Sequence, residues 1–159
     1  MKAIAKLVWG CVFLLPLLSV SAAFSEEADP AAKEKELKKF AGKWQVVSLV
    51  IDGNTTEEDD AKKITVTNDP NGESTVYSEG KVILRALLRL DTFPQPKVID
   101  MLLTEGQDTG KTMQGIYELG EETQKACYAG PNQARPTEFT APSGSGNILV
   151  VLRRIPQEK

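Results

Sequence analysis

From Gly42 onward the chain is written in short runs of alternating apolar and polar residues, each closed by turn-forming residues. This pattern constrains the fold more than any other feature. A period of two puts one side of each run into a core and the other into water, and frequent turns make consecutive runs antiparallel neighbours. Trp44 to Ile51 is the first run and ends at Asp52-Gly53. Ile64 to Thr67 is the second, and Asp69-Pro70-Asn71-Gly72 turns the chain into Ser74 to Ser78, before Glu79-Gly80. Between residues 82 and 90, Val82, Leu84, Ala86, Leu88 and Leu90 share one side. Ile83, Ala86, Leu87 and Leu90 would also fit one helical stripe, but turn residues at both ends favour a strand. Ile99, Met101 and Leu103 share a face, as do Met113, Tyr117 and Leu119 with Gly115 between them. Thr123 to Ala129, Thr137 to Thr140 and Ile148 to Ile155 complete the series. About eight or nine such strands predict an all-β antiparallel barrel or sandwich.

The chain before Gly42 reads differently. Lys2 and Lys6, the apolar run Leu7 to Leu18, and Ser19-Val20-Ser21-Ala22-Ala23 have the three parts of a secretory signal peptide over residues 1–23. The apolar run is shorter than the about 20 residues that a membrane span needs. Residues 24–41 are read as a polar tether and a short helix, followed by the barrel domain over 42–156. Asp29-Pro30 offers an N-cap and a proline at the first helical position, Glu34 can pair with Lys38, and Gly42 follows the end. This implies an extracytoplasmic domain, periplasmic or secreted, with no membrane span in its mature part.

Composition then removes several kinds of chemistry. Asp and Glu number 22 against 19 Lys and Arg, the wrong balance for nucleic-acid binding. The chain holds no histidine, so Ser-His-Asp and Cys-His catalysis are excluded in their ordinary forms. Common zinc, copper and iron sites lose their usual ligand as well. Of the two cysteines, Cys11 lies in the leader, where Val8-Trp9-Gly10-Cys11 makes a poor lipoprotein box because Trp9 is bulky. Cys127 is left without an internal disulfide partner and is expected to be a buried, inert thiol. Asp69, Asn71 and Glu73 imitate the start of a calcium loop, but Gly72 falls at the wrong place, so a β-turn is expected. Glu57 to Asp60 reads as a solvated connector. Asp100, Glu105 and Glu138 are the carboxylates available for acid–base work, but sequence spacing does not bring any two together. Arg135 and Glu138 are expected to pair, and Gly115 to mark a bulge or a close backbone approach. No cofactor or metal is expected.

Gly42-Lys43-Trp44 after a short helix resembles the Gly-x-Trp opening of lipocalins, in which the tryptophan at the closed barrel end packs on an arginine of the last strand. That resemblance makes Arg154, on the side of Ile148, Val150 and Leu152, the partner of Trp44. More specifically, the chain resembles the planctomycete-type lipocalin-like domain family of unknown function. The residues that carry this are Gly42 to Ser48, Asp52-Gly53, Pro96 to Asp100, Thr104-Glu105-Gly106 and Gly110-Lys111-Thr112. Gly115-Ile116-Tyr117, Cys127, Arg135 to Phe139, Gly144-Ser145-Gly146 and Leu152-Arg153-Arg154 continue it. Glu121 to Lys125 is more polar than that family's strand at this place. The resemblance implies a lipocalin-like antiparallel β-barrel of about eight strands with a short N-terminal helix, and it brings no activity with it.

Three function classes follow. In the first, the barrel interior binds a small apolar or amphipathic ligand, with Val46, Ser48, Leu84, Leu88, Met101, Met113 and Tyr117 on presumed inward faces as lining. In the second, the interior is filled and the domain contacts a protein partner of the cell envelope. The third, an enzyme, is disfavoured because no nucleophile–base pair can be read. Trp44 and Arg154 are expected to close the barrel rather than touch ligand.

Overall fold

The computed structural model describes residues 29–156; the leader and the start of the tether lie outside the described residues. Pro30–Phe40 forms helix α1. Asp29 Oδ1 accepts the Ala31 N–H at 3.0 Å, and Pro30 stands where a helix has no use for an N–H. Glu34 and Lys38 pair at 2.7 Å, but both are exposed, so the pair adds little stability. The face that matters carries Glu36 and Phe40, both buried.

The strands are β1 (Gly42–Ile51), β2 (Asn54–Thr55), β3 (Ile64–Asn68), β4 (Glu73–Ser78), β5 (Lys81–Asp91), β6 (Lys97–Glu105), β7 (Thr112–Leu119), β8 (Thr123–Tyr128) and β9 (Ile148–Arg154). All neighbours are antiparallel, and β9 pairs back with β1. The result is a closed eight-strand barrel, with β2 a two-residue hairpin return on the end of β1. Asp52 and Gly53 both have positive φ (49° and 82°), the backbone that a tight two-residue hairpin turn requires. Beyond Gln45, β1 parts from β3, and the single-turn helix α2 (Glu58–Ala61) sits beside β1 at that gap. The acidic connector is therefore partly helical; its Glu58 and Asp60 pair with Lys62 and Lys63 at 2.7 and 2.6 Å.

Residues 82–90 are strand, as their alternation predicts, and Leu84, Ala86, Leu88 and Leu90 face the interior while Val82 is exposed past a bulge opposite Val76 and Tyr77. Thr137 to Thr140 is not a strand. Because β8 pairs directly with β9, the ring has no free edge for it to join. Instead the segment between β8 and β9 runs over the outer face of β7 and β8, burying Ile116 and Cys127 together with Pro136 and Ala141. Arg135 anchors it: its guanidinium donates to the carbonyl oxygens of Gly115 (2.7 Å) and Ile99 (3.3 Å) and pairs with Asp100 at 2.8 Å. The expected Arg135–Glu138 pair is thus replaced by Arg135–Asp100, and Glu138 is exposed. Gly115 is a close approach: a Cβ there would stand 2.7 Å from both the Cys127 carbonyl oxygen and the Tyr128 ring.

None of the helices among the described residues is long and apolar enough to cross a membrane.

A candidate ligand cavity and its closed end

One end of the barrel is shut by α1. Its last turn leaves carbonyl oxygens that a helix cannot satisfy internally, and side chains from distant strands supply the donors. Arg154 donates to the carbonyls of Ala41 (2.8 Å) and Lys39 (2.6 Å), and also to that of Glu121 (3.0 Å). The Phe40 carbonyl accepts from Trp44 Nε1 at 2.8 Å and from Asn68 Nδ2 at 3.3 Å. A cation at a helix C-terminus also suits the helix dipole. The Arg154 guanidinium lies 4.1 Å from the centroid of the fully buried Trp44 ring. Beside it, Phe40 meets Tyr117 edge-on at 5.1 Å, and the Tyr117 hydroxyl donates to Glu36 Oε1 at 3.3 Å. Glu36 is held by Lys97 at 2.6 Å and Lys39 at 3.3 Å. Burial raises the Glu36 pKa, but the hydrogen bonds and charges of Lys97 and Lys39 outweigh it and hold the carboxyl below its ordinary value. Burial, reinforced by the Glu36 charge, pushes the Tyr117 phenol up.

Within the barrel lies a cavity of about 240 Å³. At the end away from α1, Ile51 and Ile83 on its rim are 44% and 51% exposed. Val46, Leu84, Leu88, Met101 and Met113 line it, joined by Leu49, Ile64, Val66, Val76, Ile148 and Val150 among others. Ser48 does not: the pairing of β1 with β9 slips between Val46 and Ser48, and past this bulge Leu49 and Ile51 take the inward positions while Ser48 is exposed. Tyr117 is inward and buried but packs under α1 and does not line the cavity. A larger concavity of about 770 Å³ is an open surface cleft beside the β3–β4 turn, lined largely by turn and terminal residues.

The polar lining is what alternation of apolar residues does not reveal. Asn68, Ser74 and Gln124 are 3%, 4% and 5% exposed, and all three face the cavity. Asn68 Oδ1 and Gln124 Oε1 have no hydrogen-bond partner among the described residues. The only sequence signal for this was the polar segment Glu121 to Lys125, of which Gln124 is the inward-facing member. Among the described residues, Tyr128 is the one ionisable group that lines the cavity, and burial pushes its phenol up.

Other candidates are engaged elsewhere. The Cys127 thiol is buried on the outer face of β8 and donates to the Thr140 carbonyl at 3.3 Å; burial pushes its pKa up. Lys125 lies over the Phe139 ring at 4.4 Å. Glu105 pairs with Arg85 at 2.8 Å, away from Asp100 and its arginine. Asp69, Asn71 and Glu73 form a turn in which Asn71 Oδ1 accepts the Glu73 N–H. Among the described residues, no group of three or more His, Cys, Asp or Glu side chains gathers as a metal ion would need.

No family model, curated protein or solved structure matches this chain.

Proposed function

We propose that this domain is a non-enzymatic binding module that takes one small, largely apolar molecule into its barrel, working outside the cytoplasm after loss of the leader. The observation that carries the reading is the cavity itself, apolar on nearly all sides and rimmed by exposed Ile51 and Ile83. Ligand pockets of drug-sized molecules span about 300–1,000 Å³, so a cavity of about 240 Å³ suits something smaller. At the about 30 Å³ that a water molecule claims in the liquid, there is room for about eight heavy atoms. The Trp44–Arg154 stack below a short helix supports placing the domain with the lipocalin-like family.

Met101 and Met113 report on occupancy, because both line the cavity. Labelling their ε-methyl groups and titrating 1-heptanol while recording methyl NMR spectra should move both signals saturably below about 1 mM. Met101→Trp, which takes up most of the space with about six added heavy atoms, should abolish the shift of Met113 while leaving the protein folded. Unmoved methyl signals at saturating alcohol would mean that the interior is a packed core and that the domain acts through its surface. For export, N-terminal sequencing of native protein should begin near residue 23 or 24; a start at Met1 would end that part of the proposal.

A further inference from the structure

The cavity is not uniformly greasy: the Tyr128 phenol stands toward the Ile51 end, and Asn68, Ser74 and Gln124 gather toward the other. Asn68 closes β3 and contacts α1; Ser74 is its cross-strand partner; Gln124 stands near the start of β8, at the same end of the barrel. Asn68 has a fixed orientation: its Nδ2 donates to the Phe40 carbonyl, an acceptor that could not serve Oδ1. Its Oδ1 is therefore committed as an acceptor, at 3% residue exposure and with no donor among the described residues. Gln124 Oε1 is a second buried oxygen without a partner among the described residues, on an amide that, unlike that of Asn68, no hydrogen bond to the described residues holds in one orientation. Buried polar atoms are nearly always paired, because a lost hydrogen bond without replacement destabilises the fold. Two unpaired acceptors in one cavity, each more than nine-tenths buried, point to a donor supplied by whatever enters.

We infer that the molecule held in the barrel is an uncharged short-chain alcohol or primary amide, inserted head first so that an alcohol's O–H donates to Asn68 Oδ1 or Gln124 Oε1, or an amide's two N–H to both, while its chain lies among Leu84, Leu88, Met101 and Met113. This rests on the proposal that the cavity is a binding site and adds the chemical class and direction of the occupant. A carboxylate is unsuited because it brings acceptors to acceptors and a charge into a lining that has no cation. An ammonium group donates, but the cavity offers no carboxylate to balance it. An alkane leaves both acceptors as they are.

Two isomers of eight heavy atoms test this directly. 1-Heptanol has an O–H to give, whereas 1-methoxyhexane has the same atoms and no donor. Titrated by the Met101 and Met113 methyl signals, heptanol should bind about tenfold tighter than the ether, the ratio that one well-placed hydrogen bond supplies. Heptanoate at pH 8 should bind at least as weakly as the ether. Gln124→Met keeps the side-chain shape without the amide, and Asn68→Leu removes the other acceptor. Either should lower the heptanol-to-ether ratio, and the double variant should bring it close to one. Gln124→Met and Gln124→Leu should also raise the melting temperature of the ligand-free protein, since Gln124 Oε1 gives up nothing to the fold. Equal binding of alcohol and ether, or a lower melting temperature in both Gln124 variants, would overturn the head-group assignment while the pocket stands. Failure of every compound to bind would instead remove the binding proposal itself.

Discussion

Removing the Trp44 ring is the most demanding test of how the barrel is closed. The ring is fully buried, donates to the Phe40 carbonyl at 2.8 Å and carries the Arg154 guanidinium on its face at 4.1 Å. Large-to-small changes of this kind cost about 3–5 kcal/mol through lost transfer energy and a residual cavity. The hydrogen bond adds little, because the Phe40 carbonyl keeps its bond from Asn68 and is not orphaned. Trp44→Ala should therefore fall within that range. With a urea dependence of about 1.5 kcal/mol per molar, the unfolding midpoint should drop by about 2–3 M. The chain's other tryptophan is Trp9, in the leader, so fluorescence would vanish with the ring and far-ultraviolet circular dichroism must follow the transition. Arg154→Met separates the stack from the plug. It removes the guanidinium that serves the Lys39, Ala41 and Glu121 carbonyls, for a loss of about 2 kcal/mol. Because the two side chains touch, the double variant should lose less than the sum, by about 0.5–2 kcal/mol. Additive losses would show that the cation does not stabilise through the ring. A loss below about 1 kcal/mol for Trp44→Ala would refute the closure argument altogether.

Other consequences are open to simpler measurements. Glu36 has a folded pKa below its unfolded one, so its ion pairs stabilise above about pH 4.5 and that contribution disappears as pH falls through the depressed value. Urea midpoints measured from pH 7 to 3 should fall in the acid range, and the fall should be shallower in Glu36→Gln; identical slopes would mean that Glu36 is not held by Lys97 and Lys39. Gly115→Ala puts a methyl 2.7 Å from a backbone oxygen and the Tyr128 ring, and should destabilise by about 1–3 kcal/mol in thermal or urea unfolding. A neutral change would mean that β7 and β8 can separate there. The Cys127 thiol, buried with a raised pKa, should resist a disulfide reagent at pH 8 until urea unfolds the chain; fast labelling of native protein would show that the β8–β9 segment opens.

How much of this was legible depended on whether a local rule governed it. Turn pairs such as Asp52-Gly53 act through their own backbone dihedrals, so the limits of the eight barrel strands came within a residue or two of the alternation, whereas the two-residue return β2 is too short to show one. The β1 bulge had no such signature. Val46, Val47 and Ser48 interrupt the alternation without showing which residue is the extra one, and the slip between Val46 and Ser48 arises from pairing with β9, about a hundred residues away in sequence. A strict period of two from Val46 therefore puts Ser48 inside, where the structure puts Leu49 and Ile51. Thr137 to Thr140 failed for a related reason: strand character is useless to a ring already closed by β8 and β9. Asn68 and Gln124 were invisible because a search for core residues looks for apolar ones, and a polar residue at an inward position reads as an interruption.

Asn68 links the two halves of the molecule. Its Nδ2 helps to satisfy the helix end that Arg154 and Trp44 also satisfy, so closing the barrel fixes which of its two polar atoms remains for the cavity. An amide free to rotate would present donor or acceptor to suit any guest. One clamped by the Phe40 carbonyl presents an acceptor only. On the binding proposal, the α1 end thus uses the donor of Asn68 and leaves its acceptor to the occupant. A barrel filled for stability alone would be better served by an apolar residue at Gln124, whose Oε1 is left unpaired. Such a cost, carried in the wall of a cavity of about 240 Å³, is what a trade of stability for the proposed binding would leave.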